Sequence, residues 1–198
     1  MAAGLLLIFL FPLLSVCMVF VALDGGPIFY RQLRVGQRQK LFSIVKLRTM
    51  LVDADRYLDA TGKPTAIRTT PIGAILRKSS LDELPQLWNV LKGEMTFVGP
   101  RPILPGMLPY LTAGERERFN VKPGLTGLAQ IKGRNNLIWS RRFRYDIFYV
   151  KHSNSLLDLW IVWRTVVVLL RGEGVVLDRN PTKVDDVTNR VVQSPTAR

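Results

Sequence analysis

Residues 2–23 (AAGLLLIFLFPLLSVCMVFVAL) carry no charged side chain, and this run decides where the rest of the chain can work. As a helix rising about 1.5 Å per residue it reaches about 33 Å, enough for a hydrocarbon core of about 30 Å. Membrane insertion is the expectation. No Lys or Arg precedes the run and no small-x-small cleavage site follows it, so it reads as retained rather than as a cleaved signal peptide. Cys17 inside it reads as a packing or lipid-facing thiol rather than a lipid-attachment site. Pro12, near the middle, removes one helical hydrogen bond while its ring crowds the preceding turn. The residues alone leave two outcomes open. One is a kinked spanning helix, which they favour; the other is a pair of arms, residues 2–11 and 13–23, that reach mid-bilayer and return to the same face. Arg31, Arg34, Arg38, Lys40, Lys46 and Arg48 face a single acid, Asp24, over residues 24–48, which places that side in the cytoplasm.

The 198 residues suit one domain, here residues 24–171 after the membrane segment 1–23, with 172–198 as a polar C-terminal tail. Lys and Arg total 28 against 15 Asp and Glu, a net charge of +13, so a polyanionic partner is expected: nucleic acid, anionic lipid or a phosphorylated substrate. Cys17 and His152 are the single residues of their kinds, which excludes an intrachain disulfide and a Cys/His zinc site. Chemistry is left to carboxylates, Lys and Arg. The pattern predicts an α+β fold that is mostly helical. Residues 24–50 read as a β-hairpin around VGQRQK, and 51–69 as a short helix and loop. Thr70-Pro71 opens one helix, and a second helix follows from about Leu81 to Gly93. The four prolines of 95–111 predict an ordered irregular loop, followed by a surface helix near 113–120 and short strands or turns over 121–135. Residues 136–151 read as an interfacial amphipathic segment, and 155–171, apolar almost all round but too short and too charged to span easily, as a helix lying in the interface or packing under the catalytic part.

Within SSLDELPQLWNVLKG, Pro85 forces a helix start near Leu81 or Asp82. Asp82 and Glu83 then fall in the first turn, where free N–H groups and the helix dipole favour an ionised carboxylate, which can act as a nucleophile. A capping box of Ser80 and Glu83 explains the same residues without any function. Cations that could grip phosphate surround the pair in sequence: Lys46, Arg48, Arg77, Lys78, Arg101 between two prolines, Lys132 and Arg134. For each of these, solvated surface or lipid headgroup contact is the plain alternative.

The strings GPIFYRQLRVG (26–36), FSIVKLRTM (42–50), LRKSSLDELPQLWNVLKGEMTFVGPRP (76–102), VKPGLTGLAQIKGRN (121–135) and RRFRYDIFYVKHSNSLLDLWI (141–161) closely resemble the bacterial sugar transferase family. These are monotopic polyprenyl-phosphate phosphoglycosyl transferases, and the resemblance runs in unbroken order over roughly residues 4–170. It implies transfer of a sugar 1-phosphate from a nucleotide-sugar donor, usually a UDP-sugar, to a polyprenyl phosphate such as undecaprenyl phosphate. UMP would leave, and Mg2+ is the implied metal, handled by Asp82 and Glu83. Asp82 is implied as the nucleophile that forms an aspartyl-phosphosugar, with Glu83 handling metal or deprotonating the acceptor. Lys46, Arg77 and Arg101 are implied to orient phosphate oxygens, and Arg134 to contact the nucleotide end.

The resemblance also reverses the topological preference, because the family uses a re-entrant helix-break-helix with Pro at the break, where Pro12 stands. Phe11 stands where that family often has Ser. The implied place is the bacterial cytoplasmic membrane, with the catalytic part on the cytoplasmic face. Glycoconjugate assembly on a lipid carrier is the implied role. Two rival readings use the same residues. One is a nucleic-acid-binding membrane protein, motivated by the basic-aromatic stretch 132–151, although no DNA- or RNA-binding motif supports it and no nucleic-acid partner is expected. The other is a non-enzymatic scaffold on anionic lipid.

Overall fold

Alternating side chains on either side of VGQRQK fold the chain back on itself. The computed structural model, which describes residues 2–57, 68–133, 137–171 and 186–187, pairs β1 (Phe29–Val35) antiparallel with β2 (Leu41–Leu47). Phe29 lies opposite Leu47 and Val35 opposite Leu41, as a hairpin requires. Arg38 and Gln39 take left-handed backbone at the tip. Successive strand residues point to opposite faces, so Phe42, Ile44 and Lys46 share one. Phe42 and Ile44 are buried against Met95.

The uncharged run forms α1 (Ala2–Leu23), long and apolar enough to cross a membrane, with a mean hydropathy of 2.9. One seam of it, Leu14, Cys17 and Val21, packs on Leu47 and Leu76, and Ala3 is buried at the other end. Leu5, Ile8, Phe9, Phe11 and Val19 remain exposed, which suits lipid rather than water. The break expected at Pro12 is not present: the helix continues through it. The hydroxyl of Ser15 donates to the carbonyl of Phe11 at 2.9 Å, a local bond that bends helices without ending them. Packing of the C-terminal half on the domain holds the rest.

Helix α2 (Pro71–Ser79) starts as expected, with Thr70 accepting from the Gly73 N–H at 2.9 Å. A Cβ on Gly73 would lie 2.1 Å from the Thr49 carbonyl oxygen, so only glycine allows α2 this close to the end of the hairpin. The helix expected over 81–93 is instead a 3-10 segment, Leu81–Gln86, followed by the short helix α3 (Leu87–Leu91). Pro85 lies inside the first piece, where the tighter turn replaces the α-helical ladder that proline would interrupt.

The proline-rich loop begins with a strand the sequence pattern did not reveal. β3 (Thr96–Val98) runs parallel to β4 (Gly124–Thr126), and a Cβ on Gly124 would meet the Gly99 N at 2.1 Å. Short 3-10 segments occupy Pro105–Tyr110 and Glu115–Asn120. Helices α4 (Leu128–Gly133), α5 (Trp139–His152) and α6 (Ser155–Arg171) complete the described fold. Ile161 of α6 packs with Val98, Leu128 and Tyr149, while Leu156, Leu159, Trp163 and Leu170 stay exposed. Within the expected tail, Asp186 accepts from the Ser140 N–H at 3.1 Å and Val187 is fully buried with Val35, Ile103 and Phe143. Those two residues are therefore docked on the domain rather than loose.

Candidate active site

Ser80 ends α2 in the left-handed conformation (φ 60°), and this turn aims the next residues back toward β2. Ser80 makes no side-chain capping bond there, and the Glu83 carboxylate is committed elsewhere, so the capping box does not form. Glu83 Oε1 accepts from Lys46 Nζ at 2.6 Å and from Arg101 Nη2 at 2.5 Å, and its Oε2 accepts from Arg101 Nη1 at 3.2 Å. Three separate elements thus converge on one carboxylate. β2 brings Lys46, the 3-10 segment brings Glu83, and the loop after β3 brings Arg101.

Asp82, one residue earlier, is treated differently. It is buried, yet among the described residues no hydrogen bond or ion pair reaches its carboxylate. Burial pushes its pKa up to about 6, opposed by Lys46 and assisted by the charge of Glu83, with Arg101 and Arg77 also opposing. The helix dipole expected to keep it ionised is replaced by these cations, since the segment is a short 3-10 turn. Burial also works against ionisation of Glu83, but Arg101 and Lys46 overcome it and hold that group well below the ordinary carboxylate range. Glu83 in turn raises the Arg101 pKa, whereas burial lowers that of Lys46.

The structure therefore brings Lys46, Asp82, Glu83 and Arg101 together. Arg77 stands nearby, with Nε donating to Thr49 Oγ1 at 2.8 Å and Nη1 to Thr69 Oγ1 at 3.4 Å. Arg134 lies outside the described residues. One cation was missed. Arg34 of β1 sits beside Arg101 and Glu83, and burial, reinforced by Arg101, pushes its pKa down to about 10. A signal was available, because Arg34 shares a strand face with Tyr30, which pairs directly with Lys46.

Among the described residues no cluster of three or more His, Cys, Asp or Glu side chains is arranged to hold a metal. The pair Asp82 and Glu83 still fits Mg2+, which commonly takes one or two carboxylates and completes its shell with substrate phosphates and water. A free carboxylate beside one that already holds two cations is such a partial donor set.

Residues 1–172 match the bacterial sugar transferase family. The chain belongs to that family. It is 44% identical over 151 residues to an uncharacterized sugar transferase, EpsL, of Bacillus subtilis strain 168, covering 76% of this chain and 74% of that one. It is 40% identical over 188 residues to the exopolysaccharide production protein ExoY of Sinorhizobium fredii, covering 87% and 83%. It is 40% identical over 182 residues to the UDP-glucose:undecaprenyl-phosphate glucose-1-phosphate transferase of Caulobacter vibrioides, covering 87% and 68%. Other relatives are longer proteins, and the chain spans only 38–40% of their length. The matched stretch of this sugar transferase includes α1 and every residue of the acid-cation cluster.

Proposed function

We propose that this chain transfers a sugar 1-phosphate from a UDP-sugar to undecaprenyl phosphate, releasing UMP, with Asp82 as the nucleophile. The observation that carries the reading is the unequal treatment of two adjacent acids: Glu83 is tied to two cations, and Asp82 is buried without a partner among the described residues. The name of the Caulobacter relative supplies the donor and acceptor classes.

In the first displacement an Asp82 oxygen attacks the sugar-bearing phosphorus. A bond from that oxygen to phosphorus forms as the bond to the UMP oxygen breaks, and UMP departs with the electron pair. In the second, a phosphate oxygen of the lipid attacks the same phosphorus and expels the Asp82 carboxylate. The lipid then carries a diphosphate-linked sugar and the enzyme is restored. Lys46, Arg101, Arg77 and Arg34 offer positive charge to the oxygens that gain negative charge on the way. A carboxylate held as acidic as Glu83 is a weak proton acceptor, which favours a role in cation and metal handling over deprotonation of the lipid. Mg2+ held by Asp82, Glu83 and the donor would neutralise diphosphate charge that otherwise repels the nucleophile.

We further place α1 in the bacterial cytoplasmic membrane, unbroken but bent at Pro12 so that both ends stay on the cytoplasmic side, with the catalytic residues at that face. Burial of Ala3 near one end and Val21 near the other supports this, since both halves lean on the same domain. An N-terminal tag should then be shielded from reagents added outside the cell, and labelling from outside would restore the spanning helix.

Asp82→Asn is expected to lower UMP release from UDP-sugars by about 10⁴-fold or more while the protein stays in the membrane. Donor alone should leave a phosphosugar on Asp82 of the wild type, seen by intact-protein mass spectrometry. Full turnover by the Asn variant would overturn the reading.

A further inference from the structure

Arg101 reaches the catalytic acids from a loop that has little means of holding itself. Pro100 and Pro102 flank it and lack N–H groups, so the loop can be fixed mainly through its carbonyl oxygens. Four successive carbonyls are each held, two by β1, one by β4 and one by the 3-10 segment before β4. The Pro100 oxygen accepts from the Gly124 N–H at 3.0 Å and the Ile103 oxygen from the Val35 N–H at 2.9 Å. The Pro102 oxygen accepts from Arg34 Nη1 at 3.3 Å. The oxygen of Arg101 itself accepts from Arg118 Nη2 at 2.7 Å.

That last donor is unlike the others. Arg118, from the 3-10 segment before β4, is a buried charge, and the same Nη2 also donates to Asp146 of α5 at 2.7 Å. The side chains of the pair are 2% and 4% exposed. The rings of Phe119 and Phe143 lie 5.6 and 5.0 Å from the guanidinium carbon, while Nε and Nη1 have no hydrogen-bond partner among the described residues. Burying a guanidinium with two idle nitrogens is expensive, and a hydrophobic replacement often serves stability equally well. What the apolar replacement could not do is donate to the Arg101 carbonyl.

We propose that Arg118, held by Asp146, is a positioning residue for Arg101, acting through the main chain. Neither member touches the acids that Arg101 serves. A displacement of about 1 Å at a phosphate-gripping or acid-holding group can cost on the order of 10²-fold in rate, so a brace of this kind has kinetic value. The kinetic part of the inference rests on the phosphotransfer reading above; the structural part does not.

The test uses the full chain in detergent or bilayer discs, with Arg118→Met, Arg118→Lys and Asp146→Asn, each with and without Arg101→Met. In the wild-type background Arg118→Met and Asp146→Asn should lower UMP release about 30- to 100-fold. Arg118→Lys should recover part of the loss, because a single ammonium nitrogen can serve both acceptors. In the Arg101→Met background the same changes should cost less than about 3-fold, since the group being positioned is gone. Equal losses in both backgrounds overturn the proposal and leave Arg118 a folding residue. Hydrogen exchange gives a second arm that needs no substrate. The amides of Arg101 and Ile103 should exchange faster in Arg118→Met and Asp146→Asn than in the wild type, and unchanged exchange there overturns the proposal. If Arg118→Met fails to fold, the near-isosteric Asp146→Asn decides. A wild type that releases no UMP would defeat the phosphotransfer reading, with the exchange arm still ruling on the brace.

Discussion

Two carboxylate–guanidinium clusters lie on either side of the same proline-flanked loop, and they are built on opposite principles. At the rim, Glu83 takes two cations, Lys46 and Arg101, and the Arg101 side chain is 42% exposed. In the interior, Asp146 takes Arg118, with both side chains sealed. With Arg34 and Arg77 beside Lys46 and Arg101, the rim cluster carries surplus positive charge around an Asp82 that has no partner among the described residues, which leaves electrostatic work to be done by a phosphate ligand. The interior pair is neutral in sum and offers one hydrogen bond outward, to the loop. On the readings proposed above, the exposed cluster with excess charge is the one that meets substrate, and the buried pair is the one that sets geometry.

The largest effect that sharpens this contrast is expected from Arg101→Met, which removes a donor aimed at developing negative charge. Its kcat/KM for UMP release should fall about 10³-fold, close to 4 kcal/mol, with little change in the thermal midpoint. Asp146→Ala should do the reverse. Leaving Arg118 buried without its counterion should cost about 3 kcal/mol of stability, read from denaturant unfolding monitored by the tryptophans. Comparable stability losses in the two variants would erase the distinction between rim and interior.

The contrast also explains how far the sequence could be read. Asp82 and Glu83 stood out as neighbouring acids between Ser80 and Pro85, but local chemistry fitted a capping box equally well, and their implied roles came from the family resemblance. Lys46 and Arg101 were legible as cations, but their convergence on Glu83 rests on the register of β2 and on the loop after β3. The brace was not legible. Arg118 and Asp146 are 28 residues apart, and the carbonyl they hold lies 17 residues before Arg118, so no local pattern joins them. The parallel pairing of β3 with β4 was hidden for the same reason, since strands of three residues show no period. At Pro12 the local rule pointed to a break, and Ser15 with a packed seam carried the helix through it.

A smaller effect concerns the titration of Asp82. In the wild type the rate should fall as pH drops through about 6, because protonation removes the nucleophile. Glu83→Gln takes away a neighbouring negative charge and frees Lys46 and Arg101 to act on Asp82, and both changes favour its ionised form. The acid limb of the pH–rate profile should therefore move to lower pH, by about one pH unit, even though the maximal rate falls. Movement to higher pH would show that Glu83 does not act on Asp82 through charge.

The smallest effect supplies the baseline for the whole contrast. Lys151 and Glu117 form an ion pair at 3.1 Å, joining α5 to the same 3-10 segment that carries Arg118, but their side chains are 57% and 40% exposed. Water and salt screen such a pair, and ordering two long side chains offsets most of its attraction. Lys151→Gln should change stability by less than about 0.5 kcal/mol and leave UMP release unaltered. The two ion pairs tie the same two elements together, so tethering alone cannot separate them; burial and the bond to the Arg101 carbonyl can. A loss in Lys151→Gln approaching that of Asp146→Ala would mean that any link between α5 and this segment matters, and the special standing of the interior pair would be gone.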